Sequence, residues 1–255
     1  MKVIALKKKI IIILSVFLTV IIIAGGYLGN MFGIFSEGNY GNYSIKHTLT
    51  EESSLEGKTV IFLGSSVTYG YGSLGTSFVE FLEKSDGIIP VKEAVSGTTL
   101  ADIKDNSYVS RLKSIDKSIK ADALVCQLST NDATKNIPLG EVSTGKNKES
   151  FDTLTVAGAI EYIIAYTEEA WGCPVIFYTQ TKYESESYKK MVDLLFEIQE
   201  KWDIFIIDLW NNEELNAITE EQKKLYLVDH IHPTKAGYKE WWLPEFRKAL
   251  REVIR

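Results

Sequence analysis

Residues 59–70 read TVIFLGSSVTYG, an apolar run that passes directly into a small polar loop. A continuous run of apolar and β-branched residues is typical of a strand that is buried on both faces, as in a parallel sheet. Ligands of such sheets bind at the carboxyl ends of the strands, so the loop after Leu63 is where polar side chains are expected to act. The stretch therefore predicts an α/β domain with a functional site beyond its first strand.

The same alternation of short apolar runs and longer amphipathic segments continues through the rest of the chain. It predicts further strands at 88–94, 123–128, 174–178 and 204–208, and helices at 78–84, 157–171, 187–201 and 234–253. Strands that alternate with helices form parallel sheets covered on both faces. The pattern predicts a single α/β domain over residues 58–255 with a five-stranded parallel sheet.

Polar residues of distinct types follow the predicted strands. Ser66 follows the first strand, Gly97 the second and Asn131 the third, while Asp229 and His232 stand just before the last helix. In this order the residues resemble the SGNH (GDSL-type) hydrolase family. The resemblance extends from residue 59 to about residue 254, nearly the whole chain beyond its N-terminal segment.

The resemblance implies a flavodoxin-like three-layer α/β/α sandwich and an ester hydrolase that needs neither cofactor nor metal. It assigns Ser66 as the nucleophile, His232 as its base and Asp229 as the acid that orients the histidine. It also assigns an oxyanion hole to Ser66, Gly97 and Asn131. The chain departs from the family pattern at Ser65, where the family has Asp, and at Ser129, where the family has Gly.

The chemistry of these residue types supports the same assignment. A serine hydroxyl is a weak nucleophile that needs an adjacent base, and imidazole titrates near the working pH. Asp229 stands three residues before His232, close enough to hold the second ring nitrogen and fix the tautomer. The backbone N–H groups of Ser66 and Gly97 and the amide of Asn131 would then stabilise the oxyanion, and a glycine lets its backbone approach closely.

The N-terminus has the pattern of an export signal. Residues 1–9 contain four lysines and no acid, and residues 10–28 are almost entirely apolar. Nineteen residues are close to the roughly 20 that cross a bilayer, and the basic flank places the N-terminus in the cytoplasm. We expect a single-pass membrane protein with its catalytic domain outside. The alternative is a secreted protein released after signal cleavage near Ala24-Gly25-Gly26.

The segment between the apolar run and the predicted α/β domain has the pattern of a linker. Residues 29–57 have no sustained period and are expected to form a stalk, so that a fragment beginning near Leu55 would suffice for activity.

Beyond residue 30 the chain has 24 basic and 34 acidic residues, a net charge of -10 that disfavours nucleic-acid binding. Two cysteines, Cys126 and Cys173, are too few for a disulfide scaffold or a thiolate zinc site.

Two alternative sites are weaker. Gly70, Gly72 and Gly75 imitate a dinucleotide-binding fingerprint, but residues 65–69 separate them from the strand that should precede them directly. A metal site at Asp229, His230 and His232 is disfavoured because adjacent side chains point apart.

The favoured function is an extracytoplasmic serine esterase that removes short acyl groups, with O-acetyl groups of a carbohydrate or cell-surface glycan as the expected substrate. The alternative is an acyltransferase that uses the same residues to acylate a sugar hydroxyl. The long connection between Asn131 and Ala157 is expected to cover the site as a lid. Its polar middle, residues 143–150, argues against a long acyl chain.

Overall fold

The computed structural model describes residues 2–254. Its centre is a five-stranded, fully parallel sheet in the order β2-β1-β3-β4-β5. The strands are β1 Thr59–Gly64, β2 Ile89–Ala94, β3 Ala123–Gln127, β4 Val175–Tyr178 and β5 Phe205–Ile207. This order is the flavodoxin-like one, so the predicted fold class is confirmed, and each strand lies within two residues of its predicted bounds.

Helices connect the strands and cover both faces of the sheet. They are α1 Lys2–Met31, α2 Ser66–Tyr69, α3 Phe78–Asp86, α4 Tyr108–Ser114, α5 Thr130–Thr134, α6 Val156–Ala170, α7 Glu186–Lys201, α8 Glu213–Asn216, α9 Glu220–Tyr226 and α10 Leu243–Val253. The sequence did not predict α2, α4, α5, α8 or α9, because helices this short carry too few turns for a clear apolar period. A π-helical segment, Gly237–Trp242, precedes α10 where one continuous helix was predicted.

Two apolar clusters fix the three layers. On one face α4, α6 and α7 bury side chains such as Tyr108, Ile160 and Leu195 against the sheet. On the other face Phe78 of α3 stacks on Phe246 of α10, with ring centroids 3.8 Å apart. The two clusters leave the carboxyl ends of the strands uncovered, and this edge carries the site described below.

Residues 33–48 pack against the domain and do not form the expected stalk. Three short 3₁₀ helices lie between Glu37 and His47. Asn39, only 2% exposed, donates from Nδ2 to the carbonyls of Gly33 (2.8 Å) and Gly72 (2.9 Å) and accepts from the N–H of Lys235 at 2.8 Å. Hydrogen bonds to backbone groups hold the segment instead of an amphipathic face, which explains why the sequence shows no period there.

The packed segment also changes the expectation for a soluble fragment. Leu55 itself is fully buried, and Lys239 donates to the carbonyl of Asn42. A chain that began near Leu55 would lose Asn39 and the surface that it covers. The premise that 29–57 adds nothing to the packing is therefore wrong, and a soluble form of the domain should begin before Gly33.

We expect Asn39→Ala to lower the free energy of unfolding by about 1–3 kcal/mol, because it leaves the buried carbonyl of Gly72 and the N–H of Lys235 without their partner and removes one of two bonds to the carbonyl of Gly33. Denaturant unfolding of the detergent-solubilised full chain measures this change. Asn42→Ala is the matched control, since the Asn42 side chain is exposed. Equal stability of the two variants would contradict the structural role of Asn39.

Candidate active site

Two adjacent serines at the end of β1 point in different directions. The Oγ of Ser66 lies 2.9 Å from Nε2 of His232, and the Ser66 side chain is largely buried. Ser65 turns toward the sheet, where its N–H and Oγ donate to Oε1 of Gln127 at 2.9 and 3.3 Å. Only Ser66 therefore has a base within reach.

The loop that holds Ser66 is fixed by buried polar side chains of the domain interior. Oε1 of Gln127 also accepts from Oγ1 of Thr68 at 3.0 Å, and Thr68 contacts the hydroxyl of Tyr178 at 2.6 Å. The hydroxyl of Tyr238 donates to the carbonyl of Val67 at 2.6 Å. The sequence contained a signal for this support, since Gln127 is the one amide side chain in the otherwise apolar strand β3.

The histidine stands in a tight turn that Asp229 closes. Oδ1 of Asp229 accepts from the N–H groups of Ile231 and His232, both at 2.8 Å. Its Oδ2 lies 2.8 Å from Nδ1 of His232. One carboxylate thus shapes the backbone of the turn and orients the imidazole toward Ser66.

The environment of Asp229 keeps it ionised. Burial alone would raise the pKa of this carboxyl, but hydrogen bonding to the His232 ring, the charge of that ring and the two backbone N–H donors lower it to about 2. A carboxyl whose pKa is lowered in the folded state stabilises the fold above its ordinary pKa, near 4, and loses that effect as the pH falls toward 2. Asp229 therefore remains a carboxylate over the whole range in which an imidazole can act as a base.

The predicted oxyanion residues lie opposite the histidine. Gly97 follows β2 with a φ of +79°, and Asn131 lies in the first turn of α5. Nδ2 of Asn131 donates to the carbonyl of Thr98 at 2.9 Å, which ties the amide to the loop of Gly97 and leaves its second N–H unused by this bond. A Cβ on residue 97 would meet no protein atom within 4 Å, so the positive φ is what favours glycine in this structure.

Two charged residues that the sequence analysis did not single out hold this loop. Asp132 is buried and accepts from the N–H groups of Leu100 (2.8 Å) and Ala101 (3.0 Å); burial raises its pKa, and these two bonds oppose the rise. Arg111 is buried as well and donates to the carbonyl of Gly64 at 2.7 Å and to Oγ1 of Thr98 at 3.2 Å. Asp132 could have been found from the sequence, because it directly follows Asn131. Nothing in the sequence around Arg111 indicates its role.

A cavity of about 380 Å³ brings all five predicted site residues together. It is lined by Met31, Ser66, Tyr71, Ser96, Gly97, Asn131, Asp229 and His232. Met31 and Tyr71 were not predicted; Tyr71 lies in the loop after Ser66, with its ring centroid 5.2 Å from that of His232. The arrangement can activate a hydroxyl beside donors suited to an oxyanion, which is the requirement of acyl transfer.

Four residues that belong only to the alternative sites, Gly70, Gly72, Gly75 and His230, do not line this cavity. A Cβ on Gly72 would lie 2.7 Å from Val228 and 3.0 Å from His232, so the Gly70, Gly72 and Gly75 loop has a packing role beside the histidine turn. The His230 ring packs near Tyr183, with centroids 5.7 Å apart. Within residues 2–254 no group of three or more potential metal ligands is found.

The predicted lid lies away from the cavity. The N–H of Ser143 donates to Glu161 at 2.9 Å, and Lys201 donates to the carbonyl of Ser143 at 2.7 Å. Phe151 is buried against Trp202 at the end of α7. Lys135, near the start of the connection, donates to the carbonyl of Gly97 at 2.7 Å. Since none of residues 133–156 lines the cavity and the polar middle is held against α6 and α7, the lid prediction is wrong.

Comparison with known proteins agrees with this geometry. The family model described as GDSL-like Lipase/Acylhydrolase matches residues 60–242. No curated protein sequence matches the chain.

Solved structures share the fold at low sequence identity. A protein from Lactobacillus plantarum is 18% identical with a TM-score of 0.62, covering 77% of this chain and 98% of its own. A protein from Bacteroides ovatus described as a GDSL-like lipase is 18% identical with a TM-score of 0.56, covering 77% and 99%. One from Desulfitobacterium hafniense described as a lipolytic protein of the G-D-S-L family is 20% identical with a TM-score of 0.57, covering 76% and 99%.

Proposed function

Because the chain belongs to the GDSL-like lipase/acylhydrolase family and is therefore an SGNH-type ester hydrolase, we propose that it is an extracytoplasmic serine esterase that forms an acyl-enzyme on Ser66. The observation that carries the proposal is the line of contacts from Asp229 through His232 to Ser66, at 2.8 and 2.9 Å. The distance between Nε2 of His232 and Oγ of Ser66 suits transfer of the hydroxyl proton, and the distance between Asp229 and Nδ1 suits the hydrogen bond that orients the ring.

Acylation begins when the Oγ of Ser66 attacks the carbonyl carbon of the ester. Nε2 of His232 accepts the hydroxyl proton, and the carboxylate of Asp229 stabilises the imidazolium that results. The negative charge on the carbonyl oxygen is met by the N–H groups of Ser66 and Gly97 and by Nδ2 of Asn131. His232 then returns the proton to the departing alcohol oxygen, and the acyl group remains on Ser66.

Deacylation repeats these steps with water as the nucleophile. His232 takes a proton from the water, whose oxygen attacks the acyl carbon. The same proton returns to Ser66 Oγ when the ester bond to the enzyme breaks. A carboxylic acid leaves, and the free serine is restored.

The cavity supports a short acyl group. Of the side chains that line it, Met31 and Tyr71 are the apolar ones, beside five polar or charged residues and a glycine. A long acyl chain would need more apolar surface, since each buried CH₂ contributes about 0.8 kcal/mol. We therefore propose short esters, with O-acetyl groups of a carbohydrate or cell-surface glycan as the substrate class.

A chain-length series of p-nitrophenyl esters tests both the activity and the acyl size. The value of kcat/KM should be highest for acetyl and fall steadily toward octanoyl, because only Met31 and Tyr71 among the eight residues that line the cavity are apolar. A rise of about tenfold or more toward octanoyl, equal to about 1.4 kcal/mol in favour of the longer chain, would contradict the proposal. Adding a sugar acceptor to the same assay separates hydrolysis from transfer.

The helix α1 supports a location at the membrane. Its stretch Ile12–Met31 has a mean hydropathy of 2.4 and is long enough to cross a membrane. A basic segment precedes it in the sequence, which supports a cytoplasmic N-terminus. We propose that residues 10–28 anchor the protein in the cell membrane, with the domain from residue 58 onward outside.

Asn131→Ala should lower kcat by about 10²–10³ with little change in KM, because it removes a donor that acts mainly on the oxyanion. Steady-state kinetics on p-nitrophenyl acetate separate the two constants. Asn106→Ala is the control, since its side chain is exposed and outside the cavity. An effect of Asn131→Ala confined to KM would assign this residue to substrate binding instead.

A further inference from the structure

The end of the apolar helix α1 forms part of the catalytic cavity. Met31, its last residue, lines the cavity together with Ser66 and His232. The next residue, Phe32, lies against Tyr71 with ring centroids 4.9 Å apart, and Tyr71 lies 5.2 Å from His232. A short row of rings thus connects the exit of the helix to the catalytic base.

The junction between α1 and the domain is held by hydrogen bonds on both sides. On the helix side, the N–H groups of Phe32 and Ile34 donate to the carbonyls of Leu28 (3.0 Å) and Gly29 (2.8 Å). On the domain side, the carbonyl of Gly33 accepts from Asn39, which also binds the loop after Ser66. A Cβ on Gly33 would lie 2.2 Å from the carbonyl oxygen of Gly72, so the two segments are in direct contact. The distance from the helix end to the cavity is therefore set by the fold.

Large apolar side chains are exposed on the segment that follows α1 and on the loop that begins at Ser66. We call them the apolar rim: Phe32, Ile34, Phe35, Tyr69 and Leu74, between 42% and 66% exposed. Three of them directly follow α1, and the other two belong to the loop that begins at Ser66. Contiguous exposed apolar side chains mark surfaces that meet a partner or a membrane, and aromatic residues concentrate at the level of lipid headgroups.

We propose that the cavity opens at the headgroup layer of the membrane and that the substrate is a membrane-borne amphiphile with a short acyl ester on its polar head. This inference rests on the proposed esterase function and on the membrane span. A helix rises 1.5 Å per residue, so Met31, which ends the apolar stretch Ile12–Met31 and lies three residues beyond the proposed anchor 10–28, is within about 5 Å of the surface of the hydrocarbon core. Met31 lines the cavity, so the ester must reach Ser66 at that depth.

The position of the cavity is tested without any catalytic readout. The full chain with Leu74→Cys, reconstituted in phosphatidylcholine vesicles, carries an environment-sensitive dye on that cysteine; the two native cysteines are buried. Lipids with a spin label at the headgroup should quench this dye. Lys120→Cys is the matched control, because Lys120 is exposed and precedes β3, at the end of the strands opposite to the cavity. Its dye should not be quenched. Absence of quenching at position 74, or equal quenching at both positions, would overturn the proposal.

The substrate class is tested by moving the domain away from the membrane. A 20-residue Gly/Ser spacer between Leu28 and Gly29 keeps the proposed anchor 10–28 and the contacts of Gly33 and Asn39 with the domain, at the loss of the bond from the Phe32 N–H to the Leu28 carbonyl. It adds about 25 Å on average. Release of acetate from a dialkyl glycolipid with an acetylated sugar head, in the same vesicles, should fall about tenfold. Release from the corresponding dissolved methyl glycoside should not change.

The outcomes separate the two proposals. An unchanged rate on the glycolipid, or an equal loss on both esters, would overturn the membrane-borne substrate. If the native chain hydrolysed neither these sugars nor p-nitrophenyl acetate, the esterase proposal would fail, whereas the quenching measurement would still decide where the cavity lies.

Discussion

Ser66→Ala is expected to lose covalent labelling by a fluorophosphonate and to lower kcat by about 10⁶-fold, the scale at which a serine nucleophile is lost. Ser65→Ala should keep both the labelling and most of the activity. The reason is geometric: Ser66 Oγ lies 2.9 Å from His232, whereas Ser65 Oγ faces Gln127 inside the domain. Gel-based labelling of the two variants and the native chain measures the difference directly.

The pair of variants is its own control, because both remove one hydroxyl from the same loop. Ser65→Ala leaves Gln127 with the Ser65 N–H and Thr68 as partners, so we expect the loop to stay in place. Labelling that persists in Ser66→Ala, or disappears in Ser65→Ala with the fold intact, would refute the assignment of the nucleophile.

Asp229→Asn should lower kcat by about 10⁴-fold while the chain remains folded. An amide nitrogen facing Nδ1 of His232 favours the tautomer with its proton on Nε2. That proton would then point at Ser66 Oγ, and the ring could no longer accept the serine proton. Steady-state kinetics measure the loss, and thermal unfolding shows whether the turn survives.

His230→Ala is the matched control, since this ring lies two residues from His232 and packs near Tyr183 instead. It should retain activity close to that of the native chain. Asp229→Asn with more than about a tenth of native kcat would show that the carboxylate does not set the tautomer. Because the pKa of Asp229 is about 2, the acid limb of the native pH profile should not report this carboxyl.

The sheet and the five site residues could be predicted because a parallel sheet gathers the ends of its strands at one edge. Ser66, Gly97 and Asn131 each follow a strand, so local patterns were enough to place them together. The lid prediction failed because the length of a connection does not determine its direction. Residues 143–151 are held by Glu161, Lys201 and Trp202, contacts between distant positions that leave no periodic trace.

The position of Met31 in the wall of the cavity could not be predicted either, because it depends on a contact between distant positions of the chain. Met31 and His232 are about 200 positions apart and meet only in the folded chain. A segment of glycines, asparagines and serines resembles a linker in composition, and a single buried Asn39 is enough to convert it into packed structure.

Asn39 also has a consequence for how the enzyme matures. Its side chain accepts a hydrogen bond from the N–H of Lys235, 196 positions later in the chain. Asn39 is synthesised early, so this bond cannot form until Lys235 has been synthesised as well. Contacts this distant form late, because closing a long loop costs entropy before any contact compensates for it. His232 belongs to the same late part of the chain. During synthesis the chain therefore carries Ser66 without His232, and we expect activity only when synthesis is nearly complete.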